Sequence, residues 1–540
     1  MLRNSLLSTT LAILMAVVFC SIQGCSSLRN ARHFKKSISP NECGLLTAVS
    51  GEDRYWALYV THTRAIKENL VVDYSGISSI DISIPKDAKS IPLGKTNDFG
   101  GVVFNVLNDQ FDMFLFTIDN KPLEISNIKK KDIDGGKFKK YVQLNKGCHL
   151  LSIYDKKPWV ENRRGYSYGH IRKDIILVNH GKAMNQTIMP YDNEFSEPVC
   201  FYYPIYLKEV TLSNMVFNRI EGSKHMTFLC SITGVDILLL SNIYIYTPQN
   251  NKDSDQAIRI NDCTNVLFEN VSIDGTYSRA DYSGYGVSMN NVWNFKATKM
   301  IGHGNWGVFG TNNINNSQFD SCDINRYDIH CYGRDVSFNN VVFRDRYNSF
   351  SSVYGNISFK NCKFINFVPV VCDASYNAHV GYDVFFKDCE FVTKHDTPQL
   401  IYDLFVSGNN SRPELNKKCL PNVSIDNFLL HVNEISPNAY LFFIEGNGLE
   451  KKTIDYISSV SIKGFKILYD GNVKRNPADF FISNMPIEVE NKIQFNFEDV
   501  DIIGNITATR ERKGKIIKRI GNNSDSEVNT NSNMKVNSIE

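Results

Sequence analysis

Residues 210–217 read Val-Thr-Leu-Ser-Asn-Met-Val-Phe, a strand-like alternation of apolar and polar residues interrupted by an asparagine. The pattern returns at residues 240–245 (Leu-Ser-Asn-Ile-Tyr-Ile) and 268–273 (Phe-Glu-Asn-Val-Ser-Ile). Counted from Leu212, Leu240 and Phe268, further copies start at Phe295, Phe319, Phe338, Phe359, Phe386, Ile425 and Ile462. By subtraction, the copies from Leu212 to Phe386 are 19 to 28 residues apart. A strand unit that recurs at this spacing is typical of a β-solenoid.

Equivalent positions of the copies predict stacked columns of like side chains. The second position after the start of a copy is Asn or Asp in Asn214, Asn242, Asn270, Asn340, Asn361, Asp388 and Asn427. These residue types suit a turn, because they tolerate left-handed backbone and can hydrogen-bond to a neighbour. The next position is apolar, and it includes Cys322, Cys362 and Cys389. These three cysteines are therefore predicted to be small core residues rather than ligands or nucleophiles.

The repeat predicts an all-β chain whose body, residues 205–505, is a right-handed, single-stranded parallel β-helix. Residues 25–204 are predicted to be a β-rich N-terminal region that caps the helix, whose open end would otherwise expose a strand edge. Within this region Trp56 to Leu70 look helical, and residues 71–190 alternate in short strands. Residues 506–540 are polar and basic, which is typical of a solvated tail.

The N-terminus predicts export. A short basic segment precedes an apolar stretch from Leu6 to Ile22, which ends in Ile22-Gln-Gly-Cys25. This ending resembles the lipobox of bacterial lipoproteins, so residues 1–24 are predicted to be a signal peptide and Cys25 to carry the lipid anchor. The alternatives are an ordinary signal peptide or a short membrane anchor, although the apolar stretch is short for a spanning helix. The predicted location is the cell envelope, with Ser26 and Ser27 favouring the outer membrane on its periplasmic or outer face.

Composition excludes some classes of protein. The 540 residues are 42% hydrophobic, which excludes wholesale disorder. With 59 basic and 57 acidic residues, the chain has no electrostatic footprint for nucleic acid, although a local basic groove could still attract an anionic sugar. Thirteen cysteines in an exported chain suggest disulfides, and they lack the paired spacings of a zinc site.

The clearest chemical constellation is residues 325–333, Asn-Arg-Tyr-Asp-Ile-His-Cys-Tyr-Gly. On a strand, Arg326, Asp328 and His330 would point to one face, about 7 Å apart. This places a guanidinium, a carboxylate and an imidazole side by side, which combines a charge clamp, an orienting group and a titrating group. The alternative is an ion pair that only fixes a turn.

Neighbouring copies of the repeat add polar and aromatic residues at the equivalent place. His303 follows Phe295 by 8 residues and Arg326 follows Phe319 by 7, so the two are predicted to be neighbours on adjacent coils. The predicted substrate-binding residues of this groove are Tyr277, Arg279, Tyr285, Asn305, Trp306, Arg344 and Arg346. A groove of this composition along the helix axis would suit an extended anionic chain.

The repeat and the groove resemble the pectate-lyase-like parallel β-helix superfamily over about residues 205–500. Residues 304–310 (Gly-Asn-Trp-Gly-Val-Phe-Gly) and 326–330 (Arg-Tyr-Asp-Ile-His) are similar to β-helix proteins of bacterial polysaccharide-degrading systems. The resemblance is specific for the fold, which hosts lyases, hydrolases, epimerases and adhesins alike. It implies a polysaccharide as the partner.

The favoured reaction is β-elimination of a uronate-containing polysaccharide. A lyase must neutralise the uronate carboxylate, withdraw the C5 proton and protonate the leaving oxygen. Arg326 is the predicted carboxylate clamp, His330 or His303 the base, and Asp328 the group that orients a histidine. No cofactor or metal is predicted. Calcium is an alternative that the sequence does not favour, because calcium-dependent pectate lyases use a cluster of carboxylates, whereas the key strand has a single Asp.

Two other functions remain open from the sequence. A glycoside hydrolase needs two carboxyl groups about 5 Å or about 6.5–9.5 Å apart, and Asp328 could pair with Asp281 or Asp345. A non-catalytic β-helix lipoprotein could bind glycans or serve as a scaffold.

Overall fold

The structure is a computed structural model of the chain. It describes residues 36–108, 113–121, 123–124, 148–160, 170–179, 182–183, 197–203, 207–219, 227–247, 256–275, 284–304, 306–351, 353–365, 368–373, 381–392, 399–406, 421–432, 440–447, 458–469, 479–483, 493–498, 501–503, 511–512, 515–516 and 535–537. The predicted signal peptide and Cys25 lie outside these residues. No helix of the described part is long and apolar enough to cross a membrane.

The elements up to residue 203 are mostly strands. They are β1 (Ser37–Ile38), two 3₁₀ helices (Pro40–Cys43 and Leu45–Thr47), α1 (Gly51–Glu68), β2 (Val71–Val72), β3 (Ser79–Ser83), β4 (Ile91–Pro92), β5 (Thr96–Asn108), β6 (Met113–Asp119), β7 (Leu123–Glu124), β8 (Cys148–Val160), β9 (His170–Asn179), β10 (Lys182–Ala183) and β11 (Pro198–Tyr203). β7 to β11 form a separate five-stranded sheet whose pairings are antiparallel.

The remaining elements described are all strands. They are β12 (Leu207–Arg219), β13 (Thr227–Thr233), β14 (Val235–Thr247), β15 (Ile258–Gly275), β16 (Tyr285–Thr298), β17 (Ile301–His303), β18 (Gly307–Asp320), β19 (Asp323–Ile324), β20 (Tyr327–Asn339), β21 (Val342–Arg344), β22 (Asn348–Phe350), β23 (Val353–Lys360), β24 (Lys363–Ile365), β25 (Val370–Asp373), β26 (Gly381–Val392), β27 (Gln399–Val406), β28 (Asn422–Val432), β29 (Tyr440–Asn447), β30 (Ser458–Tyr469), β31 (Asp479–Ser483), β32 (Ile493–Glu498), β33 (Asp501–Ile503), β34 (Glu511–Arg512), β35 (Lys515–Ile516) and β36 (Lys535–Asn537). β34 and β35 pair only with each other.

Parallel pairing between successive coils builds the body of the molecule, and the predicted all-β parallel β-helix is confirmed. Each coil contributes three segments. Sheet I contains residues 207–213 and the segments in register with them, sheet II residues 215–219 with their partners, and sheet III residues 227–233 with theirs. Since a single coil leaves its inward apolar face uncovered, stacking produces one continuous core along the ladder.

The turn between sheets I and II is the predicted Asn column. All seven predicted residues, Asn214, Asn242, Asn270, Asn340, Asn361, Asp388 and Asn427, have φ between 51° and 59°. Their amides also bond along the column, as Asn242 Nδ2 donates to Asn214 Oδ1 at 2.9 Å and Asn270 Nδ2 to Asn242 Oδ1 at 2.8 Å. The column therefore combines tolerance of left-handed backbone with hydrogen bonds between coils.

One copy of the repeat was placed two residues out of register. Ala297, and not Phe295, pairs with Phe268 on one side and Phe319 on the other. The left-handed residue between sheets I and II in this coil is Lys299 (φ 53°), which carries no Asn or Asp signal. In the observed register Gly302 pairs with Ile324, so His303 lies beside Asn325 and one residue from Arg326.

The cysteine prediction is confirmed for all three core positions. Cys322, Cys362 and Cys389 are 3%, 2% and 3% exposed, and none is in a disulfide. Burial raises the pKa of the Cys322 thiol to about 11, so this thiol is protonated at neutral pH. They are small apolar side chains of the solenoid interior.

The parallel ladder begins before the predicted boundary at residue 205. β5 pairs in parallel with β12, β6 with β13, and β3 and β4 pair with β5 and β6. The strands β3 to β6 thus form part of the solenoid, although their sequence lacks the Asn signature of the later copies. The antiparallel sheet β7–β11 is inserted between these first strands and β12.

The element at the open end is a helix rather than a strand-rich layer. α1 begins at Gly51 because Ser50 and Asp53 form a capping box, and it ends at Asn69, which has φ 53°. The helical segment predicted from Trp56 to Leu70 therefore starts five residues earlier. Tyr55, Leu58 and Ala65 bury against the first strands, so the helix covers the end of the core.

His62 of α1 makes this cap sensitive to pH. Its Nε2 lies 2.7 Å from Tyr74 Oη, and its ring packs against Phe99 and Phe116. Burial lowers the pKa of His62 to about 4. Since the unfolded value is about 6.5, the unfolded chain takes up the proton first as pH falls.

We therefore expect the free energy of unfolding to fall by about 3 kcal/mol between pH 6.5 and pH 4 through this residue alone. Denaturant unfolding at pH 7, 5.5 and 4 should show this loss in the native chain. The His62→Phe variant keeps the ring packing without the titration, so its pH dependence should be smaller by that amount. Equal pH dependence of the two proteins would contradict the assignment.

Candidate functional site

A cluster of polar and aromatic side chains lies where the loop after sheet II enters sheet III. We call it the His330 cluster, and its members are Tyr285, Trp306, Arg326, Asp328, His330 and Tyr347. They come from four successive coils, because Tyr285 pairs with Gly307, Gly310 with Asp328, and Asp328 with Ser349.

The alternation predicted for residues 326–330 holds within β20. Tyr327 and Ile329 are fully buried in the core, so Asp328 and His330 project from the outer face of sheet III. Arg326 lies just before the strand rather than on it. It still reaches Asp328, because its Nη2 donates to Asp328 Oδ2.

Asp328 is a buried, ionised carboxylate. Its side chain is 3% exposed, and Oδ2 accepts hydrogen bonds from Arg326 and from Tyr285 Oη at 2.5 Å. His330 Nε2 lies 3.4 Å from the same oxygen. Burial alone would raise the pKa of Asp328, but the charges of Arg326 and His330 and these hydrogen bonds hold it well below its usual range. Asp328 is therefore an orienting anion and not a proton donor at neutral pH.

The Tyr285 hydroxyl is the centre of the hydrogen-bond network. Trp306 Nε1 donates to Tyr285 Oη at 3.0 Å, and His330 Nε2 lies 2.7 Å from the same oxygen. The hydroxyl donates its proton to Asp328 and can accept two hydrogen bonds. Trp306 supplies one, and His330 supplies the other when its proton is on Nε2. In that tautomer the imidazole lone pair is on Nδ1. Burial and the charge of Asp328 raise the pKa of Tyr285 well above its usual value, so the phenol stays protonated.

Arg326 is enclosed by aromatic rings. Its guanidinium carbon is 4.3 Å from the ring centroid of Trp306 and 4.2 Å from that of Tyr347, which are cation–π distances. Its side chain is 3% exposed, and Nε and Nη1 are buried without a hydrogen-bond partner within the described part of the chain. This geometry favours an internal role, holding Asp328 and the rings, over the predicted role as a clamp on substrate.

Two glycines provide the room for the cluster. A Cβ on Gly310 would lie 2.4 Å from Cδ2 of Tyr285, and a Cβ on Gly307 would lie 2.9 Å from Cδ of Arg326. The Tyr285 ring can therefore cross the intervening coil to Asp328 only because residue 310 has no side chain.

Two buried asparagines that were not among the predicted site residues hold the loops in place. Asn325 Oδ1 accepts from the backbone N–H of Val308 at 2.9 Å, and Asn325 Nδ2 donates to the carbonyl of Gly304 at 2.5 Å. On the next coil Asn348 Oδ1 accepts from the N–H of Tyr327 at 2.9 Å. Asn325 lies two residues before Tyr327, whereas Asn348 begins the next strand of sheet III in register with Tyr327, so no common spacing identifies them in the sequence.

His303 and Arg344 belong to a different cluster, on the outer face of sheet II. His303 Nε2 lies 3.0 Å from Asp323 Oδ1, and Arg344 donates hydrogen bonds to both carboxylate oxygens of Asp323 at 2.7–2.9 Å. The hydrogen bond to Asp323 raises the pKa of His303. Burial works against ionisation of Asp323, but His303 and Arg344 lower its pKa to about 2. The predicted neighbour of His303, Arg326, instead bonds to Asp328.

The other predicted residues fall in three groups. Tyr285 and Trp306 are in the His330 cluster, although as hydrogen-bonded members rather than open platforms. Arg346 reaches it as well, with its guanidinium carbon 5.8 Å from the Trp306 ring centroid. Tyr277, Arg279, Asn305 and Asp281 lie outside the described residues.

His330 is the accessible member of the pair that it forms with Asp328. Its side chain is 28% exposed, whereas that of Asp328 is 3% exposed. Within the described residues, no three His, Cys, Asp or Glu side chains come together as a metal site would need.

No protein-family model matches the chain, and no curated protein matches it. Its fold is similar to the tailspike protein gp49 of Pseudomonas phage LKA1, with a TM-score of 0.55 and 12% identity over 85% of this chain and 76% of that one. The tailspike gp61 of Pseudomonas phage phi297 gives a TM-score of 0.45 at 10% identity, covering 86% and 84% of the two chains. The gp54 tailspike of Acinetobacter baumannii bacteriophage AP22, solved with an A. baumannii capsular saccharide, gives 0.46 at 11% identity, covering 86% and 77%. The similarity to gp49 of phage LKA1 shows that this chain and that tailspike protein share a fold.

Proposed function

We propose that the chain binds an acidic, uronate-containing polysaccharide at the His330 cluster and cleaves it by β-elimination. The observation that carries this proposal is the distance of 2.7 Å between Tyr285 Oη and His330 Nε2, with both groups held by the buried Asp328. A histidine and a phenol joined in this way can accept one proton and release another.

In the proposed reaction His330 Nδ1 takes the C5 proton of the uronate. The C4–O bond breaks, a C4–C5 double bond forms, and Tyr285 turns its proton from Asp328 to the leaving oxygen. In the same step the His330 imidazolium gives its Nε2 proton to Tyr285 across the 2.7 Å contact, so no phenolate forms beside Asp328 and His330 ends neutral with its proton on Nδ1. Asp328 stabilises the transient imidazolium.

The carboxylate of the substrate needs a cation, and Arg326 is enclosed. The guanidinium carbon of Arg346 lies 5.8 Å from the Trp306 ring centroid and its side chain is half-buried, so we assign it the contact with the uronate carboxylate. Arg326 acts through Asp328 and is a positioning residue. A hydrolase is less favoured, because Asp328 is ionised and buried and cannot serve as the general acid.

We expect the purified chain, incubated with polygalacturonate, alginate and hyaluronan, to produce absorbance at 230–240 nm from the unsaturated uronate. His330→Ala should lower that rate by about 10²–10⁴-fold, since it removes the base. The matched control is His431→Ala, which removes a histidine paired with Glu390 on sheet II and should leave the rate unchanged.

The other outcomes separate the alternatives. New reducing ends without absorbance would indicate hydrolysis. Glycan binding without cleavage would indicate a binding protein, a reading favoured by the fully enclosed Arg326–Asp328 pair, which can serve as a structural unit. Full activity of His330→Ala would refute the site assignment.

A further inference from the structure

A patch of exposed aromatic and apolar side chains lies on the outer face of sheet II, apart from the His330 cluster. Tyr244 is 43% exposed, Tyr246 52% and Ile301 48%. We call the surface formed by Tyr244, Tyr246, Asp274, Ile301 and His303 the tyrosine face. Large apolar groups that gather on one exposed surface commonly mark a binding site.

The register brings these residues together over three coils. Tyr244 and Tyr246 are two apart on β14, so both rings point outward about 7 Å from each other. Tyr246 pairs with Asp274, which pairs with His303. Adjacent coils are about 4.8 Å apart, so an aromatic ring, a carboxylate and an imidazole follow one another along the helix axis.

One of the rings is held in place before any ligand arrives. Asn270 Nδ2 donates to Tyr244 Oη at 3.0 Å, and Asn270 is itself part of the turn column through Asn242. The ring is thus exposed on its face and fixed at its hydroxyl. Such a platform loses little conformational entropy on binding.

The charges of this face argue against an anionic ligand. Asp323 engages both Arg344 and His303. The exposed Asp274 adds a second carboxylate in register with His303 and Tyr246. Two carboxylates thus face two basic side chains, so this surface has no excess positive charge to attract an anion. The faces of the tyrosine rings are also electron-rich. Together these features complement an uncharged ligand with polarised C–H groups for the rings and hydroxyls for the carboxylate.

We propose that the tyrosine face binds a neutral saccharide chain. Its pyranose rings stack on Tyr244 and Tyr246, and hydroxyls donate to Asp274. This site lies on sheet II and does not depend on the proposed cleavage at the His330 cluster on sheet III.

The test is calorimetric titration of the full chain with cellohexaose, mannohexaose, laminarihexaose and hexagalacturonate. We expect at least one neutral hexasaccharide to bind, and Tyr246→Ala and Tyr244→Ala each to weaken that binding about 10-fold. Phe385→Ala removes an aromatic side chain of similar exposure (38%) from sheet I and should leave the affinity unchanged.

Three results would overturn the proposal: no binding of any neutral hexasaccharide, unchanged affinity in both tyrosine variants, or tighter binding of hexagalacturonate through the same tyrosines. Far-ultraviolet circular dichroism of each variant confirms that the solenoid is intact. Asp328→Asn separates this proposal from the proposed cleavage at the His330 cluster. It should alter catalysis and leave binding of the neutral saccharide unchanged.

Discussion

Replacing Arg326 with methionine is expected to lower the free energy of unfolding by about 3–5 kcal/mol at pH 7. The variant keeps most of the side-chain volume between Trp306 and Tyr347 but removes the cation. Asp328 is 3% exposed and would remain as a buried charge without its strongest partner. Denaturant unfolding of the native chain and the variant, followed by circular dichroism, measures the difference.

The pH dependence of this loss identifies its cause. In the native chain Asp328 has a lowered pKa, so its contribution is present above the unfolded value of about 3.9 and is lost as pH falls below it. Without Arg326, burial would raise the pKa of Asp328, so stability would be recovered on protonation and lost as pH rises. The difference in unfolding free energy between the native chain and Arg326→Met should therefore become smaller from pH 7 to pH 4.

A double variant supplies the control. Arg326→Met combined with Asp328→Asn removes both charges, and it should be markedly more stable than Arg326→Met alone. If the single variant costs less than about 1 kcal/mol, or if the second change brings no recovery, the buried pair is not the structural unit inferred here.

The solenoid was predictable because its determinants are local and periodic. Nine of the ten reference residues counted from Leu212 stack as the repeat indicated, and Ala297 takes the place of Phe295. In that coil Lys299 has the left-handed turn that Asn or Asp has in seven other coils, and Ser321 and Gly464 hold the same position in two more. A lysine in that conformation leaves no signal, because neighbouring coils rather than its own preference impose it.

The side-chain contacts of the site could be predicted only in part. Asp328 and His330 share a strand face that alternation alone defines. In the observed register His303 is one residue from Arg326, but its side chain lies on the outer face of sheet II and contacts Asp323 instead. Enclosure of Arg326 by Tyr347 depends on loop conformation, which residue spacing does not determine.

The start of the solenoid was missed for a related reason. β3 to β6 use Ile, Val and Phe in the core as later strands do, but their turns are built differently, with glycines at 100 and 101. The predictable part of the fold is therefore the part in which the turn and the core repeat together.

Replacing Gly310 with alanine is expected to disrupt the His330 cluster through one added methyl group. The new Cβ would lie 2.4 Å from Cδ2 of Tyr285, and the ring cannot keep its place over residue 310. We expect a loss of about 1–3 kcal/mol in unfolding free energy from overpacking. Displacement of the phenol by about 1 Å from His330 should also lower the proposed lyase rate about 100-fold.

Two comparisons show whether this effect passes through Tyr285. Gly302→Ala is equally crowded, with its Cβ 2.5 Å from Cγ2 of Val308, but it adds the methyl group away from Tyr285. It should cost similar stability and leave the rate of the folded protein unchanged. In a Tyr285→Ala background, Gly310→Ala should cost little stability, because the ring it displaces is gone. If the losses in unfolding free energy from Tyr285→Ala and Gly310→Ala simply add, the absence of a side chain at residue 310 is not what makes room for the Tyr285 ring.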